Sequence, residues 1–173
     1  MTINFGDGTT IASGGALGKI VQHQKTEITG ISVHSGTSYS DMSGYSDTIT
    51  PSSSSNLIFV QFNLNAGCNN NGNRIGLRVL RDGNNVSFRG DASGSRQQCA
   101  AMFAVSSASD SRNTTIQFID NPGTTSAVSY QLQMYSQVGG GTNMTAGGCS
   151  TDSNNSFEGR TASSIILMEI APN

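Results

Sequence analysis

The chain has 173 residues, enough for a single domain that buries its own core without help from metals or disulfides. Charged residues make up 12% of the chain, about half of the usual share, and the net charge is only −2. A nucleic-acid partner, which requires clustered Lys and Arg, is therefore not expected. Apolar residues arrive in clusters of strand length, which argues against disorder, and neither a secretory signal nor a stretch that could insert into a membrane is found.

The first segment, residues 1–16, is rich in Gly and Thr and has few large apolar side chains, mainly Ile3, Phe5 and Ile11. These cannot bury enough surface to offset the entropy lost on ordering, so the segment is predicted to be an N-terminal arm. Residues 17–173 are predicted to form a single β-sandwich domain.

The domain begins with residues 17–31, which predict one long strand or two bent ones. Residues 36–46, rich in Ser, Tyr and Gly, predict a loop or a weak strand. Residues 47–50 predict a short strand that stops at Pro51, since proline lacks the N–H group that a sheet requires.

The clearest alternation of apolar and polar residues lies between residues 57 and 64, and residues 74–80 repeat it. The first of these strands is expected to be covered on both faces where it begins, because Leu57 and Phe59 break the alternation. Asp82-Gly83 predicts a tight turn, after which residues 85–89 pair back as a hairpin. The predicted inward sets are Ile58, Val60, Phe62 and Leu64 in the first strand, and Ile75, Leu77 and Val79 in the second, where Arg74, Gly76 and Arg78 point outward.

The second half of the chain continues in the same way, with a buried run at residues 98–105, strands at 113–120 and 127–135, a polar loop at 142–160 and an apolar final strand. The predicted inward residues are Ile116 and Phe118, then Val128, Tyr130, Leu132 and Met134, and finally Ile166, Met168 and Ile170, which Ile165 and Leu167 flank.

No segment of ten or more residues shows helical spacing with caps. Roughly eight to ten strands separated by turn residues predict an all-β fold, an antiparallel β-sandwich that is jelly-roll-like, with a short N-terminal arm.

Residues that carry chemistry are few and scattered. His23 and His34 lie on separate segments, and abundant serine makes the nearness of a serine to His34 uninformative. Asp152-Ser153-Asn154 resembles the opening of a calcium loop but lacks its later ligands. Glu169 in the last strand is expected to face solvent at an edge, with burial against an arginine as the alternative. We therefore predict no catalytic, cofactor-binding or metal-binding residue, no cofactor and no enzyme activity.

The three cysteines, Cys68, Cys99 and Cys149, show no metal-ligand spacing. The sequence allows a Cys68–Cys99 pair with one thiol left over, an inter-chain pair, or three free thiols in a protein made in a reducing cytoplasm.

Two terminal motifs resemble small structural proteins of tailed bacteriophages, especially those that infect cyanobacteria. They are residues 3–11 (INFGDGTTI) with 17–22 (LGKIVQ), and residues 164–170 (SIILMEI). Residues 47–52 and 57–60 match that family's succession of threonine-rich strand, proline, serine loop and apolar strand. The resemblance implies a β-sandwich virion component, often trimeric, without enzyme activity.

The leading hypothesis from the sequence is therefore a non-enzymatic phage structural protein located in the virion, a homotrimeric capsid decoration or knob protein that contacts other capsid or tail proteins. The trimer is also expected because several strands are apolar on both faces. The alternative is a tail-fibre tip or lectin-like module that binds a host-surface glycan, with Tyr39, Tyr45 and the 142–155 loop as candidate contacts. An enzyme such as a glycan depolymerase is the third hypothesis, and the dispersed acids disfavour it.

Overall fold

A computed structural model describes residues 3–4, 10–11, 18–69, 72–138, 143–156 and 158–172. The regular structure within these ranges is all β. The strands are β1 (Ile3–Asn4), β2 (Thr10–Ile11), β3 (Lys19–Ile28), β4 (Ser32–Ser35), β5 (Ser40–Ile49), β6 (Leu57–Cys68), β7 (Arg74–Arg81), β8 (Asn84–Asn85), β9 (Ala101–Ala104), β10 (Ser111–Asp120), β11 (Val128–Ser136), β12 (Asn143–Ala146) and β13 (Ser163–Ala171).

Two antiparallel sheets pack face to face. In the first sheet β13 lies between β3 and β6, β10 occupies the other edge of β6, and β12 with β4 extends the sheet beside the far end of β6. In the second sheet β11 lies between β5 and β7, while β8 and β9 share the other edge of β7. The long strands pass back and forth between the sheets and the last returns beside the first, which is the jelly-roll arrangement. The predicted sandwich is confirmed.

The core lies between the sheets, and most of the predicted inward residues form it. Each of them is at most 9% exposed. The confirmed set is Ile58, Val60, Phe62 and Leu64 of β6, Ile75, Leu77 and Val79 of β7, Ile116 and Phe118 of β10, and Val128, Tyr130, Leu132 and Met134 of β11. The Asp82-Gly83 turn is also found, with positive φ at both residues as a type I′ hairpin loop requires, but the returning strand is Asn84–Asn85 rather than the predicted residues 85–89.

The predicted face of β13 is wrong. Ile165 and Leu167 are fully buried, whereas Ile166, Met168 and Ile170 are only half-buried. The register explains this difference, because Ile165 pairs with Phe62 and Leu167 with Val60, and directly paired residues lie on the same face of a sheet.

The loop or weak strand predicted at residues 36–46 and the short strand predicted at 47–50 are largely one strand, β5, which contains a bulge. Its pairing with β11 shifts between Gln131 and Gln133, so Met42 and Tyr45 both face the core although they are three residues apart. The Gln131 side-chain nitrogen donates to the Met42 carbonyl at 3.0 Å and the Tyr45 carbonyl at 3.2 Å. This amide supplies the bulge with the hydrogen bonds that regular pairing would have given.

Two further predictions need correction. Residues 98–105 are not a buried run, because most are half-buried and Met102 is 43% exposed on the edge strand β9. Residues 142–160 are not all loop either, because β12 forms within them and Met144 and Ala146 enter the core. The predicted arm, residues 1–16, lies outside the described residues apart from the paired β1 and β2.

Candidate functional site

The outer face of the second sheet carries an ordered set of polar and aromatic side chains. Arg74, Gly76 and Arg78 point outward from β7, as the alternation predicted. Tyr135 of β11 pairs directly with Gly76 and its ring lies across that glycine. A Cβ atom on Gly76 would come within 2.0 Å of the Tyr135 ring, so the close approach needs a glycine there. The ring is thereby fixed over β7.

Tyr39, just before β5, extends this cluster. Its ring centroid lies 4.8 Å from that of Tyr135, and the Arg78 guanidinium carbon sits 4.0 Å from the Tyr39 centroid. Arg78 Nε donates to Gln133 Oε1 at 2.7 Å, and Gln133 Nε2 donates to Asp41 Oδ1 at 2.7 Å. Burial, together with Cys99 and Tyr135, raises the pKa of Tyr39, so its hydroxyl stays protonated and donates to the Gln98 carbonyl.

Beside the cluster lies a cleft of about 460 Å³, which we call the arginine cleft. Its lining combines two arginines, several amides and hydroxyls, a thiol and a thioether. These residues are Thr37, Arg74, Ser95, Arg96, Gln97, Cys99, Met102, Tyr135, Ser136 and Gln137. Among the described residues that line it there is no acidic side chain.

Both arginines of the cleft are held by neutral acceptors. Arg74 Nη1 donates to Gln137 Oε1 at 3.0 Å, and Arg96 Nη1 donates to Ser93 Oγ at 2.6 Å. Within the described ranges the ion pairs of arginine involve Arg81, Arg112 and Arg160, so no carboxylate neutralises the cleft. The local charge is thus opposite in sign to that of the whole chain.

The sequence identified only part of this cluster. Tyr39 was a candidate glycan contact and belongs to it, but Tyr45 lies in the core, 1% exposed, with its hydroxyl donating to Ser163 Oγ. Tyr135 was overlooked. The available signal was its position two residues after Gln133, on the face of that strand opposite the core set.

The first sheet has a different outer face. Directly paired residues form an apolar row across four strands: His23, Met168, Phe59 and Ile119. A second row joins Ile20, Ile170 and Leu57. We call the apolar members of these rows, with Ile166, the apolar face. Ile119 is 57% and Ile20 54% exposed, and the others are half-buried.

Glu169 was expected to face solvent, and this expectation is wrong. The residue is fully buried on the core side of β13. Its Oε1 accepts hydrogen bonds from the Ser52 amide and hydroxyl and from Asn56 Nδ2, and its Oε2 accepts one from Gln22 Nε2. Burial opposes ionisation, but the bonds from Asn56, Gln22 and Ser52 outweigh it and lower the pKa of Glu169 to about 2. Neutral donors, not an arginine, hold the charge.

The segment that resembled a calcium loop uses its carboxylates internally. Both oxygens of Asp152 accept from Arg160, at 2.9 and 2.8 Å, which lowers the pKa of Asp152. Glu158 accepts from the Ser153 hydroxyl and amide and from the Thr151 hydroxyl, and these bonds lower its pKa to about 2. Across the described part of the chain, no three His, Cys, Asp or Glu side chains group as metal ligands would.

Neither histidine is among the residues that line the arginine cleft. His34 Nε2 lies 2.9 Å from Ser32 Oγ, and burial lowers the pKa of His34. Ser32 Oγ also donates to the Ser43 carbonyl, at 3.3 Å, and no acidic side chain bonds His34 among the described residues. His23 is exposed on β3. Among the described residues, neither histidine has both the nucleophile and the orienting acid that a catalytic triad requires.

The cysteines do not form the Cys68–Cys99 pair that the sequence allowed. Cys99 is a half-buried free thiol at the cleft, and burial raises its pKa. Cys149 is a buried free thiol, and Cys68 is buried at the end of β6.

No family model matches the chain, and a search of curated proteins finds no significant match to its sequence. Within the described residues there is no helix of the length and apolarity that crossing a bilayer would demand.

Proposed function

We propose that the chain is a non-enzymatic structural protein of a phage particle, a homotrimer that decorates the capsid. The observation that carries the self-association is the apolar face. Contiguous apolar surface of this kind is normally covered by a partner in a soluble protein, because leaving it in water costs free energy and promotes aggregation.

A second copy of the chain suits this face better than a charged partner would. The two rows contain one titratable side chain, the exposed His23, and the exposed Lys25 pairs with Ile166 beside them. The face stands on β3, β6, β10 and β13. Among the described strands, β6 and β13 pair on both sides, whereas β3 and β10 pair on one side only. The residues of the apolar face lie on the outer surface of the sheet, so association through this face would occur by side-chain packing. Closed packing of three copies about an axis would cover the face on every subunit.

The sequence argument for the trimer relied on two apolar faces in β13 and placed Glu169 near a subunit boundary. In the structure both faces of β13 are apolar, but the face predicted to point inward points outward. Ile166, Met168 and Ile170 therefore belong to the proposed interface. Glu169 is buried within its own chain and plays no part in the contact.

The assignment to a virion is supported by the resemblance of the terminal motifs to phage structural proteins. It is also consistent with the low charge of the chain. Immunogold labelling of purified particles tests it: regular labelling of the head is expected, and particles that carry none of the protein would refute the proposal.

The self-association is tested by light scattering at micromolar concentration. The wild-type mass should be about three times the 18.0 kDa of one chain. Ile119→Asp should reduce it to one chain, because the charge would be desolvated in the interface. Val33→Asp is a matched control: Val33 is also 57% exposed on a strand, but lies on β4, outside the apolar face. A monomeric wild type, or an unchanged mass for Ile119→Asp, would refute the proposed interface.

A second candidate function is a fibre-tip or lectin-like module that binds a host-surface glycan. The arginine cleft is the observation that favours it, because binding sites combine a concave surface with a few fixed polar groups. A glycan array tests this function separately from self-association, and the absence of any bound glycan would count against it.

A further inference from the structure

We propose that the arginine cleft binds a saccharide that carries a carboxylate, such as a uronic acid. The inference rests on the second candidate function, the glycan-binding module, and specifies the chemical class of its ligand. It does not depend on self-association through the apolar face, which lies on the opposite sheet.

The charge of the cleft selects an anion. Arg74 and Arg96 are the charged groups of its described lining, and both are more than a third exposed, so they are open to a ligand. A guanidinium group binds a carboxylate through two parallel hydrogen bonds, a geometry that ammonium groups lack. Gln137 and Ser93 each use one terminal nitrogen of the respective arginine, so donors remain for a ligand.

The rest of the lining suits a sugar ring. Ser95, Gln97 and Gln137 provide donors and acceptors for hydroxyl groups, and Met102, 43% exposed, provides an apolar surface for the ring's C–H face. A volume of about 460 Å³ lies within the range of small-molecule sites and is sufficient for one or two sugar rings.

The wall of the cleft is also rigid, which lowers the entropy lost on binding. Tyr135 is held over Gly76 and against Tyr39, and Ser136 Oγ accepts a hydrogen bond of 2.6 Å from the buried Asn73.

An extended polyanion such as nucleic acid is a poorer ligand, because its affinity depends on many phosphate contacts and the cleft offers only two cationic groups in its described lining.

The test is calorimetric titration of the full chain with digalacturonic acid, with its neutral counterpart digalactose, and with sodium sulfate. Digalacturonic acid should bind at least about tenfold more tightly than digalactose, because hydrogen bonds to charged groups carry the difference. Arg74→Gln and Arg96→Gln should each weaken it by about tenfold or more. Arg112→Gln is the matched control, since it removes one positive charge from the opposite sheet.

The outcomes separate this inference from the function it specifies. Equal affinity for the acidic and neutral sugars, or wild-type affinity in both cleft variants, would overturn the inference but leave a glycan-binding module in place. Sulfate that binds as tightly as digalacturonic acid would also overturn it, because the site would then hold any small anion. Absence of binding by both sugars would overturn the inference, and an array on which no glycan binds would overturn the second candidate function as well. Unchanged thermal unfolding of the variants confirms that they are folded.

Discussion

Replacing Glu169 by alanine removes the acceptor of four hydrogen bonds, which come from the buried Asn56, the half-buried Gln22 and the exposed Ser52. Asn56 is 5% exposed, and its side-chain nitrogen lies 2.6 Å from Glu169 Oε1. Ser52 loses the acceptor for both its amide and its hydroxyl, and Gln22 keeps only the Thr50 carbonyl. Because all four bonds go to a charged acceptor and the Asn56 amide would be stranded in a buried position, we expect Glu169→Ala to lower the free energy of unfolding by about 3 to 5 kcal/mol.

Glu169→Gln is the more informative variant, because it keeps the shape and one acceptor. The amide oxygen can replace Oε1, but the NH₂ group then faces the Gln22 nitrogen, and one of the two amides must turn. The free energy of unfolding should fall by about 1 to 2 kcal/mol, which is less than the decrease expected for Glu169→Ala.

The carboxylate also links stability to pH. Its pKa is about 2 in the folded protein against an ordinary value of 4.5. Because the folded pKa is the lower one, the stabilisation is complete above about pH 4.5 and is lost as the pH falls towards 2. Glu169→Gln should lack this part of the acid dependence.

The assay is urea unfolding of the wild type and both variants at neutral pH, and of the wild type and Glu169→Gln between pH 5 and about 2.5. Glu158→Gln is the control, because Glu158 has the same lowered pKa but is half-buried and bonds to the exposed residues Ser153 and Thr151. Solvent competes for these bonds, so the loss of Glu158 should change stability less at neutral pH. If Glu169→Ala costs no more than Glu158→Gln, the buried bonds at Glu169 do not stabilise the fold and the reasoning fails.

Three further predictions follow from the packing. Leu77→Ala should cost about 2 to 5 kcal/mol in chemical unfolding, since Leu77 is fully buried, and a loss below about 0.5 kcal/mol would contradict its place in the core. Gly76→Val should displace the Tyr135 ring, lower the free energy of unfolding by about 1 to 3 kcal/mol and abolish any binding in the cleft. If this variant were as stable as the wild type, the position of the ring would not depend on the glycine. In the folded protein Cys99 should react with iodoacetamide before the other two cysteines and faster at alkaline pH, and equal reaction of all three would contradict its half-buried position at the cleft.

The sequence predicts the sandwich well where one face of a strand is apolar and the other polar. In β7 the outward residues are Arg74, Gly76 and Arg78, so only one register buries the apolar set. In β13 both faces are apolar, and alternation cannot choose between them. The charge of Glu169 predicts that its face points outward, but Glu169 shares its face with the buried Ile165 and Leu167.

The remaining errors come from interactions between distant segments. The bulge in β5 is stabilised by Gln131, which lies more than 80 residues away in the chain. The buried Glu169 depends on Ser52 and Asn56, also more than 100 residues away. The arginine cleft joins Arg74, Arg96 and Tyr135 from three separate segments. No local pattern contains these pairings, so they follow only from the topology.

The placement of the apolar face and the arginine cleft on opposite sheets determines how a ligand would encounter an assembly. If the apolar faces turn towards a common axis, the clefts point outward, one from each subunit. A polysaccharide with repeated acidic sugars would then meet several equivalent sites held at fixed spacing, and each bound unit would raise the effective concentration of the next. Weak affinity at a single cleft would thereby become strong attachment to a surface, while individual contacts would still exchange rapidly.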